Sequence, residues 1–114
     1  MRRTGKLDYL EMTAPGGSFD AVKAFYAAAF GWSFTAYGPD YAAFDEGLEG
    51  GFDAGPSAVA APPLPVLYSE ALEETFAAVE QTGGRIVRPI FSFPGGRRFH
   101  FRDPAGNELA VWGE

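Results

Sequence analysis

Two helix-ending glycine motifs constrain the fold of this sequence more than any other feature. Phe30-Gly31 and Gly83-Gly84 each close a segment with helical apolar spacing, and the two motifs lie 53 positions apart. The apolar positions of the two segments superimpose at the same offset, with Phe19 on Leu72. One strand-like stretch precedes each helix, and three follow it. The sequence therefore predicts an internal repeat of two βαβββ modules and a fold of the α+β class.

The first module is predicted to cover residues 6–53. Its helix begins after Ser18, a residue type favoured at a helix N-cap, and ends at Gly31, a type favoured just past the C-terminus. The apolar stripe predicted for this helix is Phe19, Val22, Tyr26 and Ala29. Apolar stretches separated by turn-forming glycine and proline predict strands at residues 6–12, 32–37, 41–45 and 48–52.

The second module is predicted to cover residues 64–113. Strand patterns occupy residues 64–69 and 85–91, and the helix between them begins at Ser69 or Glu70 and carries Leu72, Phe76 and Val79 on its apolar face. Residues 54–63 contain no charge and are rich in Ala and Pro, so they predict a linker between the modules. A length of 114 residues indicates that both modules belong to one domain, residues 1–114.

The last two strands are predicted to form a hairpin around Asp103-Pro104-Ala105-Gly106-Asn107. Proline presets φ for the turn, and Gly106 or Asn107 supplies the left-handed conformation that closes it. If Arg102 pairs with Glu108, alternation places four apolar residues on a core face: Phe99, Phe101, Leu109 and Val111. The opposite face, turned to solvent or to a ligand cavity, then carries Arg98, His100, Arg102, Glu108, Ala110 and Trp112.

Composition excludes several classes of function. The sequence has no cysteine, which rules out disulfides and thiolate metal sites. Its net charge of −6 argues against nucleic acid and anionic membranes as partners. There is no long apolar run of the kind that spans a membrane and no apolar core of a signal peptide, so we expect a soluble, cytoplasmic protein. Open sheet edges and spare aromatic residues favour a homodimer.

Three motifs in order resemble the vicinal oxygen chelate superfamily, which includes glyoxalase I, bleomycin-resistance proteins and extradiol dioxygenases. They are Phe25-Tyr26-x-x-x-Phe30-Gly31-Trp32, then Gly83-Gly84, then Asp103-Pro104-x-Gly106-Asn107. The resemblance covers nearly the whole chain. It implies a glyoxalase-like fold of two βαβββ modules whose curved mixed sheets form a cup-shaped cavity.

The resemblance also implies where a divalent metal would bind. Metal-dependent members of the superfamily hold the ion with His, Glu or Gln from four strands, and these positions fall on Tyr9, on Leu64, on Ala110 and near residues 50–52. Leucine and alanine offer no donor atom, and a neutral tyrosine is a poor ligand. We therefore expect no metal site and no cofactor.

Six residues on the predicted cavity face are candidates for ligand binding: Tyr9, Glu11, Tyr68, Arg98, His100 and Trp112. The aromatic residues combine apolar area with a hydrogen-bonding group, and arginine binds carboxylate or phosphate. His100, the one histidine, and Glu11 are candidate catalytic residues as an acid–base pair. Each residue also has a structural alternative. The aromatic residues could pack at the edge of the sheet, the arginines could form surface ion pairs, and His100 and Glu11 could be partly exposed residues of a strand.

Three functions agree with these patterns. The first is a metal-free, glyoxalase-like or bleomycin-resistance-like protein that binds or sequesters a small, partly aromatic organic ligand. The second is a lyase, isomerase or dioxygenase of the same superfamily, which uses an unconventional metal site or the pair of His100 and Glu11. The third is an interaction domain whose cup is closed by its own aromatic side chains. A shared fold does not choose among them.

Overall fold

A computed structural model describes residues 2–114 and divides the chain into two compact units. The N-terminal unit is Tyr9–Pro63, and the C-terminal unit is Leu64–Glu114 together with the residues up to Asp8. Each unit contains one helix and a mixed sheet, which confirms the predicted α+β class. Within residues 2–114, neither helix has the length and apolar character needed to cross a membrane.

The N-terminal unit has the order strand, helix, three strands. Its elements are β1 (Leu7–Thr13, in this unit from Tyr9 onward), α1 (Phe19–Phe30), β2 (Thr35–Ala36), β3 (Tyr41–Asp45) and β4 (Glu49–Asp53). The strands lie in the order β2-β3-β4-β1, with β4 parallel to β1 and the other neighbours antiparallel. A parallel pair needs a crossover connection, which begins here with α1 and continues through β2 and β3.

Helix α1 covers one face of this sheet. It begins after Ser18 as predicted, although the Ser18 hydroxyl donates to the Pro15 carbonyl at 2.7 Å and does not accept a helix N–H. Gly31 has a φ of 74°, the left-handed conformation that ends a helix at little cost for glycine. The core beneath the helix contains Phe44 and Phe52, and Tyr26 packs against it.

Two details of the first module differ from the prediction. Strand β2 has only Thr35–Ala36, where residues 32–37 were predicted. Trp32 packs into the core cluster, and the Ser33 N–H donates to the Glu46 carboxylate at 3.0 Å, so this backbone turns away from the sheet before β2 begins. Ala29, predicted on the apolar stripe of α1, is exposed because the last turn of the helix extends past the core.

The C-terminal unit repeats the same order of elements. They are β5 (Leu64–Tyr68), α2 (Leu72–Gln81), β6 (Arg85–Phe93), β7 (Gly96–Arg102) and β8 (Glu108–Gly113). The strand order is β5-β8-β7-β6, with β5 parallel to β8. This is the connectivity of the N-terminal unit, and it confirms the internal repeat of two βαβββ modules.

The predicted hairpin register is confirmed at every pair. Arg102 lies opposite Glu108, His100 opposite Ala110, and Arg98 opposite Trp112. Phe99, Phe101 and Val111 of the predicted core face pack in one apolar core with three residues of α2, Leu72, Phe76 and Val79. Helix α2 begins at Leu72, later than predicted, because the buried Ser69 hydroxyl accepts the Ala71 N–H at 3.0 Å in a turn before the helix.

The turn of this hairpin is stabilised by its own aspartate. Asp103 Oδ1 accepts the N–H groups of Ala105 and Asn107, each at 2.9 Å, and Oδ2 accepts the Asn107 side-chain amide at 2.9 Å. Gly106 supplies the positive φ, at 91°. These hydrogen bonds, those from Asn107 above all, lower the pKa of Asp103. The Asp-Pro-x-Gly-Asn motif is therefore part of the scaffold.

Candidate functional site

The candidate site residues lie on the sheet faces turned away from the helices. In the C-terminal unit, Phe99 and Val111 point to the α2 core, so alternation turns their neighbours His100 and Trp112 to the other face. In the N-terminal unit, Met12 packs in the core under α1, and Glu11 is therefore on the opposite face. Tyr9 and Glu11 lie in the N-terminal unit, and the other four predicted residues lie in the C-terminal unit.

The internal repeat narrows the fourth of the metal-ligand positions that the resemblance implies, which the sequence located only near residues 50–52. The Asp53 carbonyl accepts the Ala14 N–H at 2.9 Å, and the Trp112 carbonyl accepts the Ser69 N–H at the same distance. Asp53 of β4 therefore corresponds to Trp112 of β8. Counting back two residues in each strand makes Gly51 the counterpart of Ala110.

Gly51 has no side chain, and the space next to it is filled. A Cβ atom built there would clash with the ring and the hydroxyl of Tyr41, a residue of the neighbouring strand β3. The Tyr41 hydroxyl in turn lies 2.5 Å from the Tyr9 hydroxyl, so the two phenols are hydrogen-bonded over this part of the sheet. Tyr9, at the β1 position that the resemblance implies for a metal ligand, thus contacts Tyr41, whose ring lies beside Gly51.

The chemistry of Tyr9 does not fit metal coordination either. Burial is the main cause that raises its pKa above the usual 10.0, and the negative charge of Glu11 adds to it, while the hydrogen bond with Tyr41 acts in the opposite direction. A phenol that keeps its proton is a poor ligand for a divalent cation. Residues 2–114 also contain no group of three or more His, Cys, Asp or Glu side chains arranged to hold a metal ion. The residues at the family positions do not fit a divalent metal.

His100 is held by a carboxylate that sequence reasoning did not connect to it. Its Nδ1 lies 3.1 Å from Glu108 Oε2, and the imidazole is buried. Since an ionised carboxylate only accepts, Nδ1 carries a proton in this contact. Glu108 is the diagonal neighbour of His100 in the predicted hairpin register, so that register already contained the signal.

The other predicted partner of His100 was Glu11. His100 belongs to the C-terminal unit and Glu11 to the N-terminal unit, so this acid–base pair stays a prediction.

Trp112 and Tyr68 lie together at the end of strands β5 and β8. They are opposite each other in the register, and their rings meet edge to face at 5.1 Å between centroids. The Trp112 indole N–H donates to Asp8 Oδ2 at 2.9 Å, and the Arg2 guanidinium lies 5.2 Å from the indole ring. Asp8 was not predicted as a site residue, because it is 104 positions from Trp112 in the sequence.

Arg98 lies among aromatic rings on the same face. Its guanidinium carbon is 5.7 Å from the ring centroids of both Phe91 and Phe93, residues of the neighbouring strand β6. The Phe91 ring is also 5.8 Å from the His100 ring. Arginine and aromatic side chains in this arrangement attract each other through the ring quadrupole. The face thus combines cationic and aromatic side chains.

Arg102 takes part in a surface ion pair, which is the structural alternative to ligand binding given above for the arginines. Its Nη2 lies 3.7 Å from Glu108 Oε1, and half of its side chain is exposed. Such surface pairs contribute little to stability.

The sequence as a whole matches one known family. Residues 6–111 match the family model of the Glyoxalase/Bleomycin resistance protein/Dioxygenase superfamily. No curated protein sequence matches the chain.

Solved structures share the fold at low sequence identity. The NAD-dependent benzaldehyde dehydrogenase from Legionella pneumophila has a TM-score of 0.74 at 16% identity, over 92% of this chain and 96% of that one. The methylmalonyl-CoA epimerase from Mycobacterium tuberculosis has a TM-score of 0.71 at 12% identity, over 99% and 90%. The Mn(II)-bound glyoxalase from Novosphingobium aromaticivorans has a TM-score of 0.63 at 22% identity, over 99% of this chain but only 40% of that one. Identities this low demonstrate a common fold and carry no activity across.

Proposed function

The chain belongs to the Glyoxalase/Bleomycin resistance protein/Dioxygenase superfamily, and we propose that it is a metal-free member that binds or sequesters a small, partly aromatic organic ligand. The observation that carries this proposal is the set of residues at the four family metal positions: Tyr9, Gly51, Leu64 and Ala110. Two have apolar side chains, one has no side chain, and one is a phenol bonded to a second phenol. Superfamily members bind small molecules, so loss of the metal leaves ligand binding as the activity to expect.

The side chains on the same sheet faces support a small, partly aromatic organic molecule as the ligand. Tyr68 and Trp112 offer aromatic area, and Arg98 between two phenylalanine rings offers a positive charge. Such mixtures of apolar surface with a few polar groups are typical of small-molecule sites. The proposed contact residues are the six predicted from the sequence: Tyr9, Glu11, Tyr68, Arg98, His100 and Trp112.

The proposal is tested in two steps on the full chain. Equilibrium dialysis against nickel, zinc, manganese and iron measures bound metal, and we expect no tight binding at one ion per chain. A panel of small aromatic compounds is then screened by thermal shift and calorimetry, and we expect stabilisation by part of the panel. Replacement of Trp112 by Ala should weaken that binding, whereas replacement of Glu80, an exposed residue of α2, by Ala should not change it. Binding of one metal ion per chain, or failure of every compound in the panel to bind, would contradict the proposal.

A second function is favoured by one observation, the contact of His100 with Glu108. A carboxylate that fixes the tautomer of a buried imidazole is an arrangement that enzymes use for proton transfer, so a metal-independent lyase or isomerase is the alternative. Its test is turnover of the compounds that bind. Complete recovery of every bound compound unchanged would contradict it.

We also propose that the protein forms a homodimer and is located in the cytoplasm, as the sequence predicts. Exposed aromatic residues support the dimer: Phe25 and Phe30 of α1 are 56% and 65% exposed. Light scattering of the purified protein measures its mass in solution, and cell fractionation measures its location.

A further inference from the structure

Helix α1 is apolar on its solvent side as well as on the side that packs against its own core. Phe19, Val22 and Tyr26 pack against the core beneath the helix, yet no residue of α1 is buried. Four exposed residues with the i, i+3, i+4, i+7 spacing of one helical stripe form the outer face of α1: Ala21, Ala24, Phe25 and Ala28. A helix that is apolar all round is normally buried, so this outer face has the composition of a covered surface.

The internal repeat provides a comparison, because α2 begins 53 residues after α1 and also packs against a core on one side. The positions of α2 equivalent to the outer face of α1 are Glu74, Ala77, Ala78 and Gln81. Glu74 and Gln81 are exposed polar residues where α1 has alanine. Contact with solvent therefore accounts for the outer side of α2, but it does not account for an outer face of α1 made of alanine and phenylalanine.

We propose that the outer face of α1 binds the same face of a second copy of this chain, as an antiparallel helix pair about a twofold axis. This inference rests on the homodimer in the proposed function and names its interface. It is independent of the ligand that the protein binds.

The outer face is complementary to itself under such an axis. In a twofold interface, a contact of residue i with residue j requires the same contact of j with i. Antiparallel pairing about a point between Ala24 and Phe25 places Ala24 opposite Phe25 of the second copy and Ala21 opposite Ala28. The large ring then meets a small side chain on both sides of the axis, and the alanines allow the two helices to approach closely.

Charge also favours a second copy at this face. Two copies with a net charge of −6 repel each other where their acidic surfaces meet, whereas the outer face of α1 carries no charge. The neighbouring charges, Asp20 and Lys23, are paired with each other at 3.5 Å. An antiparallel pair places the positive N-terminal end of each helix beside the negative C-terminal end of the other, and the last turn of α1 has no basic residue of its own.

The size of the contact indicates a weak, reversible dimer. Helix α1 has 12 residues and is therefore about 18 Å long. One helix face of this length provides less than the roughly 800 Å² per partner that a standard interface buries. The exposed ring of Phe30, 6.1 Å from that of Phe25, extends the apolar surface at the end of the helix. We therefore expect a dimer that dissociates on dilution.

The first experiment measures association by light scattering over a range of concentrations. Phe25→Glu places a carboxylate in the proposed interface, and Ala78→Glu makes the same change in charge at the equivalent, exposed position of α2. We expect wild type and Ala78→Glu to approach twice the chain mass at high concentration. The association constant of Phe25→Glu should be lower by about tenfold or more, because a charge would be buried without a partner. Circular dichroism and melting temperature establish that each variant folds.

The second experiment tests the antiparallel arrangement. The chain has no cysteine, so every disulfide comes from the cysteines introduced. Ala21→Cys and Ala28→Cys chains are oxidised separately and as a mixture, and non-reducing electrophoresis measures the covalent dimer. We expect the mixture to cross-link several-fold faster than either variant alone, since position 21 of one copy faces position 28 of the other. Glu74→Cys and Gln81→Cys, at the equivalent positions of α2, are the matched controls and should show no such gain.

Two results would overturn the inference while the proposed homodimer stands. One is an association constant of Phe25→Glu equal to that of wild type. The other is a mixture of Ala21→Cys and Ala28→Cys that cross-links no faster than the separate variants or the α2 controls. Wild-type protein that stays monomeric at every concentration would overturn both this interface and the homodimer, and it would leave the proposal of ligand binding to its own test.

Discussion

His100 Nδ1 lies 3.1 Å from Glu108 Oε2, and this contact joins a buried imidazole to the first residue of β8. It fixes the Nδ1–H tautomer of the neutral ring, because the carboxylate can only accept. It also provides the buried N–H group with a partner, which would otherwise cost free energy.

We expect Glu108→Ala to lower the free energy of unfolding by about 1–3 kcal/mol, since the buried Nδ1–H group loses its acceptor. Chemical denaturation measures the change. Nitrogen NMR spectra of the imidazole should show the Nδ1–H tautomer in the wild-type protein and a mixture in Glu108→Gln. Glu80→Ala, in the exposed part of α2, is the control and should stay within about 0.5 kcal/mol of wild type. A wild-type value for Glu108→Ala would mean that the contact does not form in solution.

Gly51→Ala should destabilise the protein by about 1–3 kcal/mol, because the new Cβ would meet the Tyr41 ring. Removing the ring in the double variant Gly51→Ala/Tyr41→Ala should recover part of this loss, so the two substitutions should be non-additive. Gly55→Ala is the matched control, since a Cβ there meets only a carboxylate oxygen, at 3.1 Å. Strictly additive effects would contradict the packing of Tyr41 over Gly51.

Asp103 should contribute to stability in a pH-dependent way. Its folded-state pKa is lowered, mainly by the hydrogen bonds from Asn107, so the unfolded chain takes up its proton first as the pH falls. The stabilisation is therefore full above the ordinary pKa of 3.8 and is lost as the pH falls through the lower folded-state value. Melting temperatures of wild type and Asp103→Asn, measured across the acidic range, should converge at low pH. A constant difference between them would contradict this account.

Tyr9 should make the stability of the protein fall as the pH rises in the alkaline range. Burial raises its folded-state pKa above 10.0, so the unfolded chain ionises first and stability is lost as the pH rises from that value toward the folded-state pKa. Tyr9→Phe should show a shallower decline of melting temperature in this range. Tyr41→Phe removes the hydrogen bond that lowers the Tyr9 pKa, so its decline should extend to higher pH. Identical alkaline profiles for all three proteins would show that Tyr9 does not resist ionisation.

The hairpin demonstrates how much of this fold is predictable from residues alone. Side chains alternate along a strand with a period of two, and the Asp-Pro-x-Gly-Asn turn fixes the register, so the pairing of His100 with Ala110 follows from the sequence. The internal repeat could likewise be predicted from the sequence, and α1 and α2 do begin 53 residues apart, at Phe19 and Leu72. Local periodicity and turn chemistry carried both predictions.

The remaining site contacts depend on pairing between distant strands, which periodicity does not encode. Tyr41 contacts Tyr9 across 32 positions, and Asp8 contacts Trp112 across 104. The fourth position that the resemblance implies for a metal ligand was predicted only to within residues 50–52, and equivalent hydrogen bonds of the two repeats were needed to match Gly51 with Ala110. Strand β2 was predicted at the right place but too long, because Trp32 and Phe34 have strand-like alternation but pack as core residues before the strand begins.

The proposed function requires that this chain binds no divalent metal at the family positions. Electron paramagnetic resonance tests it most directly, because free Mn(II) gives a sharp spectrum that disappears on tight binding. Titration of Mn(II) with the full chain should leave the free spectrum unchanged, whereas the Mn(II)-bound glyoxalase from Novosphingobium aromaticivorans, stripped of metal, should abolish it at one ion per site. Loss of the free signal at one Mn(II) per chain would contradict the account.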